Sequence, residues 1–407
     1  MKTISKKESV ILFIISLPVY FSFSGLFLYV NAPKNLQAII VISLLFSIYH
    51  FGIDHIKQQL INKKILWLIS LFILYGLYQR HLHGFSNGQI KTYGMLLLYF
   101  SIIPESLFGK LRSHLLNLSL VATICSLAYF YQQDILLERE RGTWGIGVLH
   151  YTVMSSWLAC FALYKLTTTK NKIVILKSIL IIFSSLFLII VTQARSTFVI
   201  LLLLSIGYFL FIVIKNKKQM ACFVFVVFLF SSILSQIPVI KDRISQTKNE
   251  IALIQAGNLK SSLGLRIQMW EAATYVVTKE PIVGVGKEHY TIKSELAKDH
   301  IIDPRIVKFS HYHNGYIDVL VKSGLVGLAF IVILLSYPLF IWYRNRNNNY
   351  FPCLSLGLLY IASSLTNVPL NNLHLVFFFM IISWIYSSNQ LNVTELKTGN
   401  DNDITSK

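Results

Sequence analysis

Long apolar runs recur along almost the whole chain, and they restrict its fold more than any other feature. A helix rises 1.5 Å per residue, so roughly 20 mainly apolar residues cross the hydrocarbon of a bilayer. Candidate spans lie near 10–30, 37–53, 66–79, 92–108, 113–131, 149–165, 173–192, 196–214, 219–239, 314–343, 351–367 and 373–387. Lipid offers no partner to a backbone N–H or C=O, so such runs fold as helices that satisfy their own polar groups. Of the 407 residues 54% are apolar and 14% charged, where a soluble protein carries about 25% charged residues. The expected fold is all-α and polytopic, with about twelve transmembrane helices.

The net charge of +19 has a topological reading. One set of connectors holds Lys2, Lys6 and Lys7; Lys57, Lys63 and Lys64; Lys110 and Arg112; Lys165, Lys170, Lys172 and Lys177; Lys215, Lys217 and Lys218; Arg344 and Arg346. The short connectors of the other set hold Lys34, then Arg80 and Lys91, then Arg139 and Arg141, then Arg195. Positive charge stays on the cytoplasmic side, so both termini are expected there and the 240–313 segment outside. The basic balance does not point to nucleic acid, because no basic helix, aromatic RNA motif or zinc spacing accompanies it. The first run follows three lysines but is too long for a cleaved leader and lacks a small-x-small site, so it reads as an uncleaved span.

Four regions follow: spans one to nine over 1–239, a large external loop over 240–313, spans ten to twelve over 314–387, and a polar cytoplasmic tail over 388–407. There is no sign of a repeat or of a separate soluble domain. Cys125, Cys160, Cys222 and Cys353 all fall in apolar runs without a CxxC, as small buried hydrophobes do. Within the loop, SSLGLRIQMWEAATYVVTKEP reads as an amphipathic helix capped by Ser261 or Ser262 and ended by Pro281. Arg266 then falls in or near the first turn, where free backbone N–H groups favour an anion. The VGVG stretch at 283–286 marks a turn before a second helix over 287–299.

Ionisable groups at the edge of hydrocarbon are costly and default to a functional reading. FSHYHNGYIDVLVKSGLVG, residues 309–327, sets His311, His313 and Asn314 where the loop meets a new span. His313 is the foremost candidate base, with a pKa expected near neutrality; the plain alternative is an interfacial histidine bonded to backbone. His311 competes with it, sharing its face if the chain is extended and a different one if helical. Arg195, in VTQARSTF, forms a polar knot with Thr192, Gln193 and Ser196 suited to a diphosphate, though a lone arginine there also snorkels harmlessly. Arg266 has a plain reading too, as a solvated helix charge. Arg139 and Arg141 are secondary anion contacts, with interleaved glutamates suggesting local pairing. HExxH, GxSxG, Walker A and acidic DxD patterns are missing, the external carboxylates are scattered, and Asp318 is too isolated to define a metal site. No metal or cofactor is expected.

These residues resemble the O-antigen ligases of Gram-negative bacteria, within the O-antigen ligase/polymerase superfamily. The family pattern of His, then Asn, Ser or Gln, nine residues and GxxG is similar to His313, Asn314, Gly324 and Gly327. TQARSTF resembles its TQ-x-R segment, SSLGLRIQMWE its SLG-x-R segment, and RGTWGIGVLHYTVMSS its Gly-rich approach to the next helix. Leu328 departs from the hydroxyl or β-branched residue that ligases often carry, which blurs the distinction from polymerases. The resemblance implies a donor of O-antigen polysaccharide on undecaprenyl diphosphate and an acceptor sugar hydroxyl of lipid A–core, at the periplasmic face of the inner membrane. It implies Arg195 and Arg266 on the diphosphate, His313 on the acceptor hydroxyl, and His311, Asn314, Arg139 and Arg141 as further contacts. It also implies inversion at the anomeric carbon, without metal or nucleotide, and an apolar groove for the prenyl chain. An O-antigen polymerase or a protein O-oligosaccharyltransferase would use the same donor. A transporter would show internal repeats and midplane charges, and the sequence has neither.

Overall fold

The computed structural model describes residues 6–84, 86–213, 238–345 and 348–387. Every regular element among them is helical. In chain order they are α1 (Lys6–Ser22), α2 (Gly25–Leu28), α3 (Ala32–Asn62), α4 (Lys64–His83) and α5 (Asn87–Ile102). Then follow α6 (Ser106–Phe130), α7 (Val148–Thr168), α8 (Lys172–Val191), α9 (Arg195–Val213) and α10 (Pro238–Gln255). The last are α11 (Ser262–Val277), α12 (His289–Lys298), α13 (Gly315–Asn345), α14 (Phe351–Ser364) and α15 (Leu373–Tyr386). Each expected span but one coincides with helix; the exception, 219–239, lies outside the described residues with Cys222, Lys215, Lys217 and Lys218. The tail after residue 387, Lys2 and Arg346 lie outside them as well.

Among the described residues six helices are long and apolar enough to cross a membrane: Lys6–Leu28, Ala32–Asn62, Lys64–His83, Ser106–Leu136, Lys172–Val191 and Gly315–Asn345. Shorter apolar helices run over Arg195–Phe211, Phe351–Ser364 and Leu373–Tyr386. The expected 92–108 span is shorter than the apolar run suggests, because α5 stops at Ile102 and Pro104 separates it from α6.

The centre of the bundle is α7, in which every residue from Tyr151 to Ala162 is buried, beside α15, buried from His374 to Tyr386. Trp157 joins them: its ring meets Phe378 at 5.4 Å and Phe23 at 6.2 Å between centroids, and its Nε1–H donates to the Pro352 carbonyl at 2.9 Å. Edge-to-face aromatic packing with a satisfied indole suits a dry core. Ser155 and Ser156 bond back to the Tyr151 and Thr152 carbonyls, so the small polar residues of α7 stay satisfied inside it.

The 240–313 segment is more organised than its sequence suggests. Met269, Ala272, Ala273, Val276, Val285, Ile306, Tyr312 and Val321 form a second apolar core, joining α11 to the first turns of α13. α10 supplies a helix that the sequence reading leaves unassigned.

α13 is broken, where a continuous span over 314–343 is expected. At Gly324 the backbone turns to φ 61° and ψ −165°, a conformation that costs about 1–3 kcal/mol for residues with a side chain. Its broken helical hydrogen bonds are replaced by the 281–285 turn. Leu325 N–H donates to the Pro281 carbonyl at 2.9 Å, Val326 N–H to Ile282 at 3.2 Å, and Val285 N–H to Val321 at 2.9 Å. The Ser323 carbonyl accepts from Tyr75 Oη at 2.5 Å, and Gln79 Nε2 donates to the Val283 carbonyl. A Cβ at Gly324 would overlap the Ile282 carbonyl, and one at Gly327 would overlap the Ser323 side chain that the break swings over it. The glycine pair therefore admits a loop into a helix break, where the sequence suggested close approach of two helices.

Gly324→Ala is expected to undock this turn. Limited proteolysis of the 240–313 segment in the purified protein should speed up severalfold, whereas Gly94→Ala, whose Cβ enters open space, should behave as wild type. Equal cleavage of the two variants would show that the break does not hold the loop.

Candidate functional site

Thr192 caps α8, and Gln193 follows at φ 54°. Ala194 N–H returns to the Ile189 carbonyl at 3.2 Å and Gln193 N–H to Ile190 at 2.9 Å, the paired closure of a Schellman turn. This turn lets α9 begin directly at Arg195. The guanidinium donates to Thr247 Oγ1 at 2.6 Å and Gln246 Oε1 at 3.4 Å, both on α10. Ile189, Ile190, Phe198, Val199 and Ile244 line an apolar groove of about 410 Å³ that ends at Arg195 and Lys248.

Ser261 caps α11, its Oγ accepting from Gly264 N–H at 3.1 Å, while Glu250 of α10 accepts from Leu263 N–H at 3.0 Å. These N–H groups, which the sequence reading offered to an anion, are thus already used. The expected anion contact is therefore left to the Arg266 side chain. It is largely buried, which lowers its pKa; the Glu250 charge opposes this and the Arg195 charge adds to it. The two arginines are therefore close enough to feel one another.

The histidine segment is held from four carbonyls. Lys293 Nζ donates to Phe309 at 2.6 Å and to Ile306 at 3.5 Å. Lys322 Nζ donates to Ser310 at 2.7 Å, and Trp270 Nε1–H to Tyr312 at 2.9 Å. Buried Asp318 accepts from Tyr312 N–H at 3.3 Å and Asn371 Nδ2 at 2.6 Å, and pairs with Lys322 at 2.8 Å. Tyr312 enters the second core, so His311 and His313 share the opposite side, their rings 4.4 Å apart. The extended alternative applies here. His313 sits at φ 51°, and Asn314 then caps α13, its Oδ1 accepting from Tyr316 N–H at 3.0 Å and Ile317 N–H at 3.2 Å. That leaves the Asn314 Nδ2 as its group for a ligand.

Burial, the neighbouring His311 and the Arg266 charge push His313 down to about 4, below the neutral value expected from sequence. Burial also lowers His311, while Asp318 pulls it up and Lys322, Lys293 and Arg266 push it down. His313 Nδ1 is buried without a partner, leaving Nε2 as the ring nitrogen that can meet a substrate. Lys293 is lowered to about 8, chiefly by burial.

Arg139 does not pair with its glutamates; it donates to Gln133 Oε1 at 3.1 Å and lines neither this groove nor the large cavity described next. Arg141 lies in the turn Arg141–Thr143, and its side chain is outside the described residues. On the far side of His311 opens a cavity of about 860 Å³ lined by His150, Asp318, Lys322 and the 367–372 connector. The sequence reading missed His150, Lys293, Lys322 and Glu250. Only α10 left a local trace, in Ile244, Thr247, Lys248 and Ile251 at helical spacing.

Residues 179–332, which hold Arg195, Arg266, His311 and His313, match the family model described as O-antigen ligase. That match supports a likeness of this segment to the O-antigen ligase/polymerase superfamily. With its six long apolar helices it is a membrane protein. A Haemophilus influenzae (strain Rd) protein described as uncharacterized is 30% identical over 129 residues, 30% of this chain and 32% of that one. The chain thus spans about a third of the relative it matches.

The Arg266 charge is one of three causes that hold His313 down. Arg266→Gln should therefore move the His313 titration above about 4 while burial and His311 keep it below its ordinary value. NMR of ring-labelled histidine, assigned with His313→Gln, reads the shift; an unmoved titration would show that Arg266 does not act on the ring.

Proposed function

We propose that the protein is an O-antigen ligase, transferring O-antigen polysaccharide from undecaprenyl diphosphate to a sugar hydroxyl of lipid A–core. The observation that carries this reading is an apolar groove with Arg195 in its wall, and a chain of charges in which Arg195 acts on Arg266, and Arg266 on His311 and His313. A prenyl diphosphate has the same two-part character, an apolar chain ending in concentrated negative charge. The superfamily match supports a glycosyltransferase of lipid-linked polysaccharide. In the arrangement proposed, twelve spans lie in the bacterial inner membrane with both termini cytoplasmic. The 240–313 segment and the site then face the periplasm, in keeping with the lysine and arginine asymmetry of the connectors.

The chemistry follows from the charges. Arg195 and Arg266 hold the diphosphate and stabilise the charge that grows on it as the anomeric C–O bond breaks. The acceptor hydroxyl attacks from the opposite side, forming the new C–O bond with inversion, and its proton passes to His313 Nε2. A free-protein pKa of about 4 keeps that ring neutral and ready to accept. The incoming diphosphate offsets the Arg266 charge and raises the basicity of the ring at the moment it is needed. His311 and the Asn314 amide orient the hydroxyl.

Arg195→Ala, Arg266→Ala and His313→Ala should each lower transfer by at least about 100-fold, within the range that electrostatic and general-base groups contribute. His311→Ala should be milder. Lipopolysaccharide gels from a ligase-deficient strain with a matched core, at equal protein levels, read the result. Normal polymer attachment with Arg266→Ala would remove the diphosphate clamp, and a milder effect at His313 than at His311 would reassign the base. The acid limb of kcat/KM, set by the free protein, should lie below that of kcat, since bound diphosphate raises the His313 pKa; coincident limbs would contradict that coupling.

A further inference from the structure

Two cavities differ in character, and the larger, with Ser310 and His311 in its wall, adjoins the histidine segment. The groove at Arg195 is apolar, whereas the larger cavity has a mixed lining in which Arg80, Lys287, Gln89 and Asn371 stand beside Phe72 and Ile331. Its amides form a connected wall: Gln89 Nε2 donates to Asn371 Oδ1 at 3.0 Å, and Asn371 Nδ2 to Asp318 at 2.6 Å. Asn367 is only 6% exposed, lines this cavity, and its amide makes no hydrogen bond within the protein. That leaves its amide, one acceptor and two donors, to pair with what fills the cavity. Sugar hydroxyls, which donate and accept, match such amides. Lys322 is neutralised by Asp318, but Arg80 and Lys287 belong to the same lining as exposed cations. An uncharged sugar would leave both cations unmatched.

We infer that this cavity is the acceptor subsite and that it takes an oligosaccharide carrying an anionic substituent, read by Arg80 and Lys287, with its hydroxyls read by Asn367. The inference rests on the proposed transfer for the word acceptor, while the ligand chemistry rests on the lining alone. The cavity has His311 in its wall, so entry from this side brings a hydroxyl to the histidine segment. The two substrates then occupy separate cavities and bind without competing.

Equilibrium binding to the purified full-length protein, with no donor present, tests this apart from catalysis. The probes are core oligosaccharide in its phosphorylated form and the same oligosaccharide after phosphatase treatment. Wild type should bind the phosphorylated form about tenfold more tightly, the factor that one charge-assisted hydrogen bond carries. Arg80→Gln with Lys287→Gln should erase that preference, and Asn367→Leu should weaken both forms alike. Added undecaprenyl diphosphate should displace neither. Equal affinity of the two forms for wild type, or binding unaltered by the variants, would overturn the subsite. Thermal unfolding of each variant near the wild-type midpoint separates lost contacts from lost fold. If binding behaves as described but no transfer to lipid A–core occurs, the function reading fails and the anionic glycan site stands.

Discussion

At Gly324 the backbone of α13 gives up helical hydrogen bonds and takes the 281–285 turn in their place, with Leu325, Val326 and Val285 N–H all satisfied across the junction. In hydrocarbon an unpaired backbone group costs several kcal/mol, so a break there survives only when another segment completes it. The exchange ties the 240–313 segment to the bundle through main chain, where side chains alone would allow it to shift. Tyr75 and Gln79 of α4 close the same junction from a third side. α11 and α12, which carry Arg266 and Lys293, are thereby fixed relative to the helix that follows His313.

The histidines depend on that fixity. Their segment has no regular secondary structure, and its carbonyls are taken by Lys293, Lys322 and Trp270 while Asp318 holds the Tyr312 N–H. Four cations lie within electrostatic reach of His311 or of Arg266, with Glu250 and Asp318 as the opposing carboxylates. Burial comes first in lowering His313, with His311 and the Arg266 charge behind it, and the excess of positive charge would attract a diphosphate. In the proposed reaction one arrangement of charge would thus serve both donor binding and a base that strengthens when donor arrives.

The apolar helices were legible because bilayer length and backbone satisfaction leave little choice of structure, and the Ser261 cap of α11 was legible because the signal is local. The purpose of Gly324 was not: its partner turn lies some forty residues earlier (Pro281 to Gly324), and a GxxG pattern is equally the mark of close helix packing. Asp318 looked isolated although Lys322 follows it by one helical turn on the same helix; what the sequence hid was the distant Asn371 and the fold of the histidine segment that brings the Tyr312 N–H back to it. His313 was placed at neutrality because burial and the distance to Arg266 are properties of the fold. Asn314 as an N-cap could have been read, since it directly precedes the apolar helix; the pull of the histidines beside it suggested a ligand contact instead.

The most direct measurement is reconstitution: wild-type protein in lipid nanodiscs, given only undecaprenyl-diphosphate-linked O-antigen and lipid A–core. The account predicts polymer joined to lipid A–core in step with release of undecaprenyl diphosphate, with the new glycosidic bond of inverted configuration. Transfer only to a second lipid-linked glycan or to a protein hydroxyl, with lipid A–core untouched, would contradict it.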